Sequence, residues 1–294
     1  MHLMSVELAV NVRAEHAEGP CWNSADQRLW WVDITGHRVH CFDPKSGKDC
    51  SWDVGNDVGA VIPTRGPELV LALPDGLVRF DAKTGSTRPL VDIESESPEN
   101  RGNDAKCDST GRLWVGTMAY DRRPHHGGLY AVESDLSVRC AMPGLTIANG
   151  PAFDEDEGWM YVADTALGLV YRIEVDLTTG AVSDQREVFV DVSDIGWPDG
   201  MTVDDDGFLW LAVGQDSAVH RYGPRGQLDG KIELPVTNPT SVAFGGADGS
   251  SLFITTSWYD VAPEHRDRQP LAGSIFVDRP GVSGPAAAHF AIDS

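Results

Sequence analysis

Positive charge is scarce in this chain, whose 294 residues carry 23 Lys and Arg against 45 Asp and Glu, for a formal net charge of -22. A surface of that sign repels nucleic-acid phosphates and anionic membrane surfaces, either of which needs a Lys/Arg patch to neutralise it. Long apolar runs are missing as well. No stretch reaches the ~18 apolar residues a membrane helix needs, and the start, Met1 to Glu7, joins no basic segment to a sustained apolar run. The five cysteines, at 21, 41, 50, 107 and 140, are odd in number, widely spaced and without a C-x-x-C pair. That suggests neither a disulfide framework nor a zinc-thiolate site, and the thiols are expected to be reduced and mostly used in packing. There is no G-x-S-x-G elbow, no G-x-G-x-x-G and no P-loop, so serine-hydrolase, dinucleotide and nucleotide-triphosphate chemistry find no support. The expectation is a globular, cytoplasmic protein, monomeric or weakly self-associating. Its expected partners are cations and neutral small molecules.

Also absent is a ten-residue helical period. In its place the chain repeats a strand signal six times: 28–33 (RLWWVD), 68–73 (ELVLAL), 112–117 (RLWVGT), 159–164 (WMYVAD), 208–213 (FLWLAV) and 251–256 (SLFITT). Their second residues are separated by 40, 44, 47, 49 and 43 positions. Each is followed by a second strand-like run, such as 38–43 (RVHCFD) or 76–81 (GLVRFD), and several of these enter Gly/Asp turns. Six units of ~40–50 residues built of paired strands predict an all-β, six-bladed β-propeller over 1–294, four-stranded blades around a central channel. A two-sheet sandwich requires no such matched units. The runs 6–10 and 288–292 are expected to complete the last blade and close the ring, leaving no free sheet edge.

Four polar loops share one offset. Glu18, Asn103, Asn149 and Asp199 each stand 10 or 11 residues before the apolar pair of a strand signal, at Leu29, Leu113, Met160 and Leu209. If the signals are equivalent, so are the four polar residues, and a ring brings them together at one mouth of the channel, on the loops that enter the innermost strands. Carboxylates and amide oxygens are hard donors suited to Ca²⁺, Mg²⁺ or Mn²⁺, and Zn²⁺ accepts carboxylate as well. Asn-Gly and Asp-Gly are also ordinary turn dipeptides; the shared offset and the uniform donor chemistry favour a metal site. The matching places in the second and sixth units read Asp57-Val58-Gly59 and Asn238-Pro239-Thr240 and break the pattern. Loop histidines (His37, His40, His125, His126, His265) are read as surface groups, and Trp197 and Trp258 as candidates for lining a pocket.

The set 18–20 (EGP), 101–106 (RGNDAK), 116–118 (GTM), 128–130 (GLY), 149–150 (NG), 198–201 (PDGM), 244–246 (FGG) and 271–273 (LAG) resembles the regucalcin (senescence marker protein)/gluconolactonase family, over residues 18 to 276. The resemblance implies a propeller with one divalent metal, hydrolysing sugar lactones. By position, Glu18, Asn149 and Asp199 look like metal ligands, Arg101 and Asn103 like substrate contacts, and Asp121 like a further acidic substrate contact. The segment 119–126 is short compared with vertebrate members, which bears on the lid and on sugar preference. On this reading Asp199 doubles as the general base, with Asp104 as the alternative base. Hydrolysis of other esters or organophosphates, or cation binding without catalysis, are the competing readings.

Overall fold

The computed structural model describes residues 6–292. Six four-stranded antiparallel sheets are arranged as the blades of a propeller. The innermost strands are Ala17–Asn23, Ala60–Pro63, Asn100–Cys107, Ala148–Asp154, Trp197–Val203 and Pro239–Gly245, and these pack against one another around the channel. The six strand signals of the sequence are the second strands, Arg28–Asp33, Leu69–Leu73, Leu113–Ala119, Trp159–Asp164, Leu209–Gly214 and Ser251–Thr256. They read as near-continuous apolar runs because each is covered on both faces, by the blade before and the blade after.

The core is correspondingly divided. One apolar layer joins Ala60, Ile62, Val70 and Leu77 of blade two to Cys107, Leu113 and Val115 of blade three. Others lie between blades three and four, four and five, five and six, six and one, and one and two. The five cysteines are free, as their spacing predicts. Among the described residues no helix is long and apolar enough to cross a membrane.

Two places differ from the sequence-based expectation. The polar segments are not loops entering the innermost strands; they lie within those strands, at register shifts between Glu18 and Cys21, Gly102 and Ala105, Asn149 and Ala152, and Pro198 and Met201. Glu18 and Asn149 are still paired at the edge of the shift, while Asn103 and Asp199 stand inside it; such a bulge bends the strand and re-aims side chains, and here the four side chains reach one another across the blades. The second difference concerns ring closure. The first strand, Glu7–Val10, does complete blade six, pairing with Ile275–Asp278, whereas the run 288–292 does not. It crosses the lower mouth of the channel and docks on other blades, with Phe290 N–H donating to Pro63 O at 2.8 Å and Ala291 N–H to Gly111 O at 2.9 Å.

A repeated brace ties innermost to second strand. The carboxylate of Asp108, fully buried, accepts from Thr110 N–H, Arg112 N–H, the Arg112 guanidinium (3.1 Å) and Trp114 Nε1 (2.9 Å). Asp204 repeats this with Phe208 N–H, Trp210 Nε1 (2.8 Å) and Arg221. Its sequence signature is D-x-x-G-x-L-W, at 108–114 and 204–210. Removing one member of a buried charge network costs about 3–5 kcal/mol. Asp108→Ala should therefore lower the melting temperature by roughly 10 °C, as measured by calorimetry.

Candidate metal and substrate site

At the upper mouth four blades contribute to one hydrogen-bonded chain. Arg101 Nη1 donates to Asn103 Oδ1 at 2.9 Å, and Asn103 Nδ2 donates to Asn149 Oδ1 at 3.1 Å. Asn149 Nδ2 in turn donates to Asp199 Oδ1 at 2.7 Å and to Thr165 Oγ1 at 2.9 Å. Asp199 shares a hydrogen bond with Glu18, and Glu18 Oε2 accepts from Gly19 N–H at 2.6 Å. Glu18, Asn103, Asn149 and Asp199 are each no more than 6% exposed. The offset noticed in the sequence thus corresponds to physical contact. Close packing of the strands makes this possible: a Cβ on Gly200 would lie 1.9 Å from Ser241 Oγ, so only glycine lets the Asp199 strand approach blade six.

Two carboxyl groups in contact and out of water repel each other's charge. Burial first, then the Glu18 charge, pushes the Asp199 carboxyl well above its usual range. Glu18 is raised too, by burial, with His16 opposing. Asp104, one strand position further into the channel, is pushed up to about 7 by burial and by Glu18.

The donor set suits a hard divalent cation, since both carboxylates and the Asn149 amide offer oxygen and a cation would remove the repulsion between the acids. Turning the Asn149 amide over would present Oδ1 rather than Nδ2 to the Asp199 side. Among the described residues no cluster of three or more His, Cys, Asp or Glu is spaced for a metal; here the third donor is an amide.

These shifts have a sign. A carboxyl raised in the folded state stabilises it below the ordinary value of about 4 and loses that contribution as pH rises through the raised value. Cation binding must displace the retained protons. The gap in melting temperature between metal-loaded and metal-stripped protein should widen as pH rises from about 4 to about 7; a gap that does not change with pH would contradict the assignment of these groups.

Asp121 does not join the chain of contacts. Its carboxylate is exposed and accepts from Arg123 N–H at 3.2 Å and Arg123 Nε at 3.0 Å. Its neighbours, themselves exposed, come closer to the site. Tyr120 lies 6.0 Å from the Arg101 guanidinium and hydrogen-bonds Asp57, while the charge of Arg122 acts on both Arg101 and Asp260. Asp260 is held by His16 Nδ1 at 3.0 Å and by the Ser257 hydroxyl at 2.8 Å. His16, Asp260 and Thr165 were not singled out from sequence; Asp57 was noted only as breaking the pattern, and Tyr120 only as part of the 119–126 segment. Asp57 and Asp260 stand in blades two and six, where the offset pattern fails, so the acidic groups there come from loops and carry no periodic signal.

Among the other candidates, His37 pairs with Asp57, while His40, expected at the surface, is buried in the strand Arg38–Asp43, where it pairs with Asp49 and stacks on Trp31. Trp258 is held between the guanidiniums of Arg13 and Arg266. At the opposite mouth lies a cavity of about 760 Å³, lined among others by Trp22, Asp104, Lys106, Phe153, Phe244 and the 285–288 segment.

Comparison with known proteins shows what the chain is similar to. The family model described as the SMP-30/Gluconolactonase/LRE-like region matches residues 16–258. The pentonolactonase XacC of Haloferax volcanii is 36% identical over 261 residues, which is 87% of this chain and 87% of that protein. Regucalcin of Xenopus laevis is 31% identical over 298 residues, 99% of this chain and 100% of that protein. Among solved structures, a calcium-binding regucalcin from Agrobacterium tumefaciens matches with a TM-score of 0.93 at 27% identity, covering 98% of this chain and 97% of that one.

Proposed function

This chain belongs to the SMP-30/gluconolactonase/LRE-like family, and on that footing we propose that it is a lactonase that opens sugar lactones, aldonolactones in particular, to aldonic acids. A divalent cation, Ca²⁺ or Zn²⁺ with Mn²⁺ or Mg²⁺ as substitutes, would be held by Glu18, Asn149 and Asp199. The observation that carries the reading is the unbroken chain of contacts from Arg101 through Asn103 and Asn149 to the Asp199–Glu18 pair, drawn from four blades. When bound, such a cation would supply Lewis-acid polarisation of the lactone carbonyl.

The protein's own groups do the rest. Asp199, buried and freed of its own proton when the cation binds, takes the proton from the attacking water. Water adds to the acyl carbon, the acyl–oxygen ring bond breaks, and the ring oxygen leaves as a hydroxyl carrying the proton that Asp199 took from the water. Arg101 uses Nη1 on Gly102 O and Asn103 Oδ1, which fixes the guanidinium plane beside the mouth. Its other N–H groups would meet the sugar hydroxyls and the developing oxyanion. Asn103 holds the Asn149 amide and so sets which atom that amide presents. Asp121 would meet the sugar only by leaving Arg123.

Purified protein given Ca²⁺, Zn²⁺ or Mn²⁺ should acidify gluconolactone, xylonolactone or arabinonolactone solutions faster than spontaneous hydrolysis does, followed by pH-stat titration. No acceleration on any aldonolactone would sink the proposal, and turnover confined to simple esters or phosphotriesters would redirect it.

A further inference from the structure

The Asn149 amide is gripped at both ends. Asn103 Nδ2 donates to its Oδ1 at 3.1 Å, and its own Nδ2 donates to Asp199 Oδ1 at 2.7 Å and to Thr165 Oγ1 at 2.9 Å. Of these four residues Thr165 alone stands outside the innermost strands. It opens the short 3-10 turn Thr165–Leu167, which follows the second strand of blade four.

A hydroxyl has a single proton to give. Thr165 spends it on Pro198 O at 2.8 Å, the carbonyl just before Asp199, so toward Asn149 it acts as an acceptor. One side chain thereby ties the Asn149 amide of blade four to the Asp199 strand of blade five. The turn that carries it is fixed in its turn by backbone bonds. Thr165 N–H donates to Ile147 O at 3.1 Å, Gly168 N–H closes on Thr165 O at 3.2 Å, and Val192 N–H donates to Gly168 O at 2.9 Å. Gly168 has a φ of 74°, and a Cβ there would lie 2.6 Å from Ser193 Cα, so the turn sits directly against the segment that leads into the strand Trp197–Val203. A β-branched side chain has few χ1 choices. The backbone therefore sets where the Thr165 hydroxyl stands.

The last torsion of an asparagine is broad and roughly two-fold, and an amide left loose must be ordered when it becomes a ligand, at a cost in side-chain entropy. Thr165 removes that freedom at the Nδ2 end as Asn103 does at the Oδ1 end. The grip also survives an inverted amide. A hydroxyl rotates, so an Oδ1 turned to this side would accept the proton now given to Pro198.

We propose that Thr165 is a positioning residue of the cation site, holding the Asn149 amide in place as a ligand and raising cation affinity through it. The inference rests on the cation reading given above.

The test is a binding measurement and needs no turnover. Metal-stripped protein is titrated calorimetrically with Ca²⁺, Zn²⁺ and Mn²⁺, and the variants with whichever ion binds. Thr165→Val, close in shape but without the hydroxyl, should bind about 10–100-fold more weakly, the usual cost of losing an outer partner of a metal ligand. Thr165→Ser keeps the hydroxyl and should retain most of the affinity, and Thr165→Ala replaces the valine variant if that one does not melt cooperatively. A general loosening of the fold would weaken binding in any background. Acting through Asn149, the loss of the hydroxyl should instead cost little more once Asn149→Ala is in place. Unchanged affinity without the hydroxyl, a serine variant as weak as the valine one, or equal losses with and without Asn149 would overturn the inference and leave the cation site standing. An unsubstituted protein that binds none of the three ions would sink the cation reading and this role of Thr165 together.

Discussion

Asp199→Asn should lower kcat on any aldonolactone that the protein turns over by about 10²–10⁴-fold, the usual cost of losing a general base. The substitution keeps an oxygen donor at nearly the same place, so cation binding should weaken without vanishing, and the rate loss should persist at saturating metal. It also removes one of the two carboxyls that meet in the channel, so the pH-dependent gap between metal-loaded and metal-stripped melting temperatures should shrink in this variant. Rate and melting data together thus report two separate properties of one side chain.

Asn149→Ala should behave in the opposite way. It deletes a donor and breaks the link to Asn103, Thr165 and Asp199 at once, and loss of even an outer partner of a metal ligand costs ~10–100-fold in metal affinity. Apparent cation affinity should fall by at least that factor, while raising the cation concentration should restore much of the rate, because the base is untouched. If Asp199→Asn recovers with added cation as fully as Asn149→Ala does, Asp199 serves only as a ligand. Asp104, pushed up to about 7, is then the next base to substitute.

The fold was legible because its second strands are sandwiched and therefore apolar over their whole length, so six similar runs at similar spacing stood out. The proximity of Glu18, Asn103, Asn149 and Asp199 was legible for a related reason: equivalent positions of a ring-closed repeat must meet at the axis. Bulges were invisible, since an Asn-Gly pair reads the same in a turn and in a bulged strand, and only the register of the neighbouring strand distinguishes them. Asp260 was missed because a side chain from a non-repeating loop has no equivalent to be compared with, and Asp57 was set aside because Asp57-Val58-Gly59, at the matching place of the second unit, breaks the pattern. The path of residues 288–292 was missed because Ala288, Phe290 and Ile292 alternate as an outer strand would, yet Phe290 and Ile292 pack into the layer between blades two and three. Alternation records only that one side is covered, and carries no information about the partner.

The closing strand has a bearing on how the molecule is made. Residues 7–10 pair with residues 275–278, so the seam joining the first blade to the last cannot form during synthesis until nearly the whole chain has left the ribosome. Each blade can assemble from local hairpins as it emerges, but the flanks of blades one and six, with Trp22, Trp31 and Phe253 among their packing residues, have no partner until then. Contacts of such sequence separation form slowly, and the half-built ring carries two apolar faces through that interval. Translation speed and chaperone supply should therefore govern the yield of active protein more than the stability of the finished ring does.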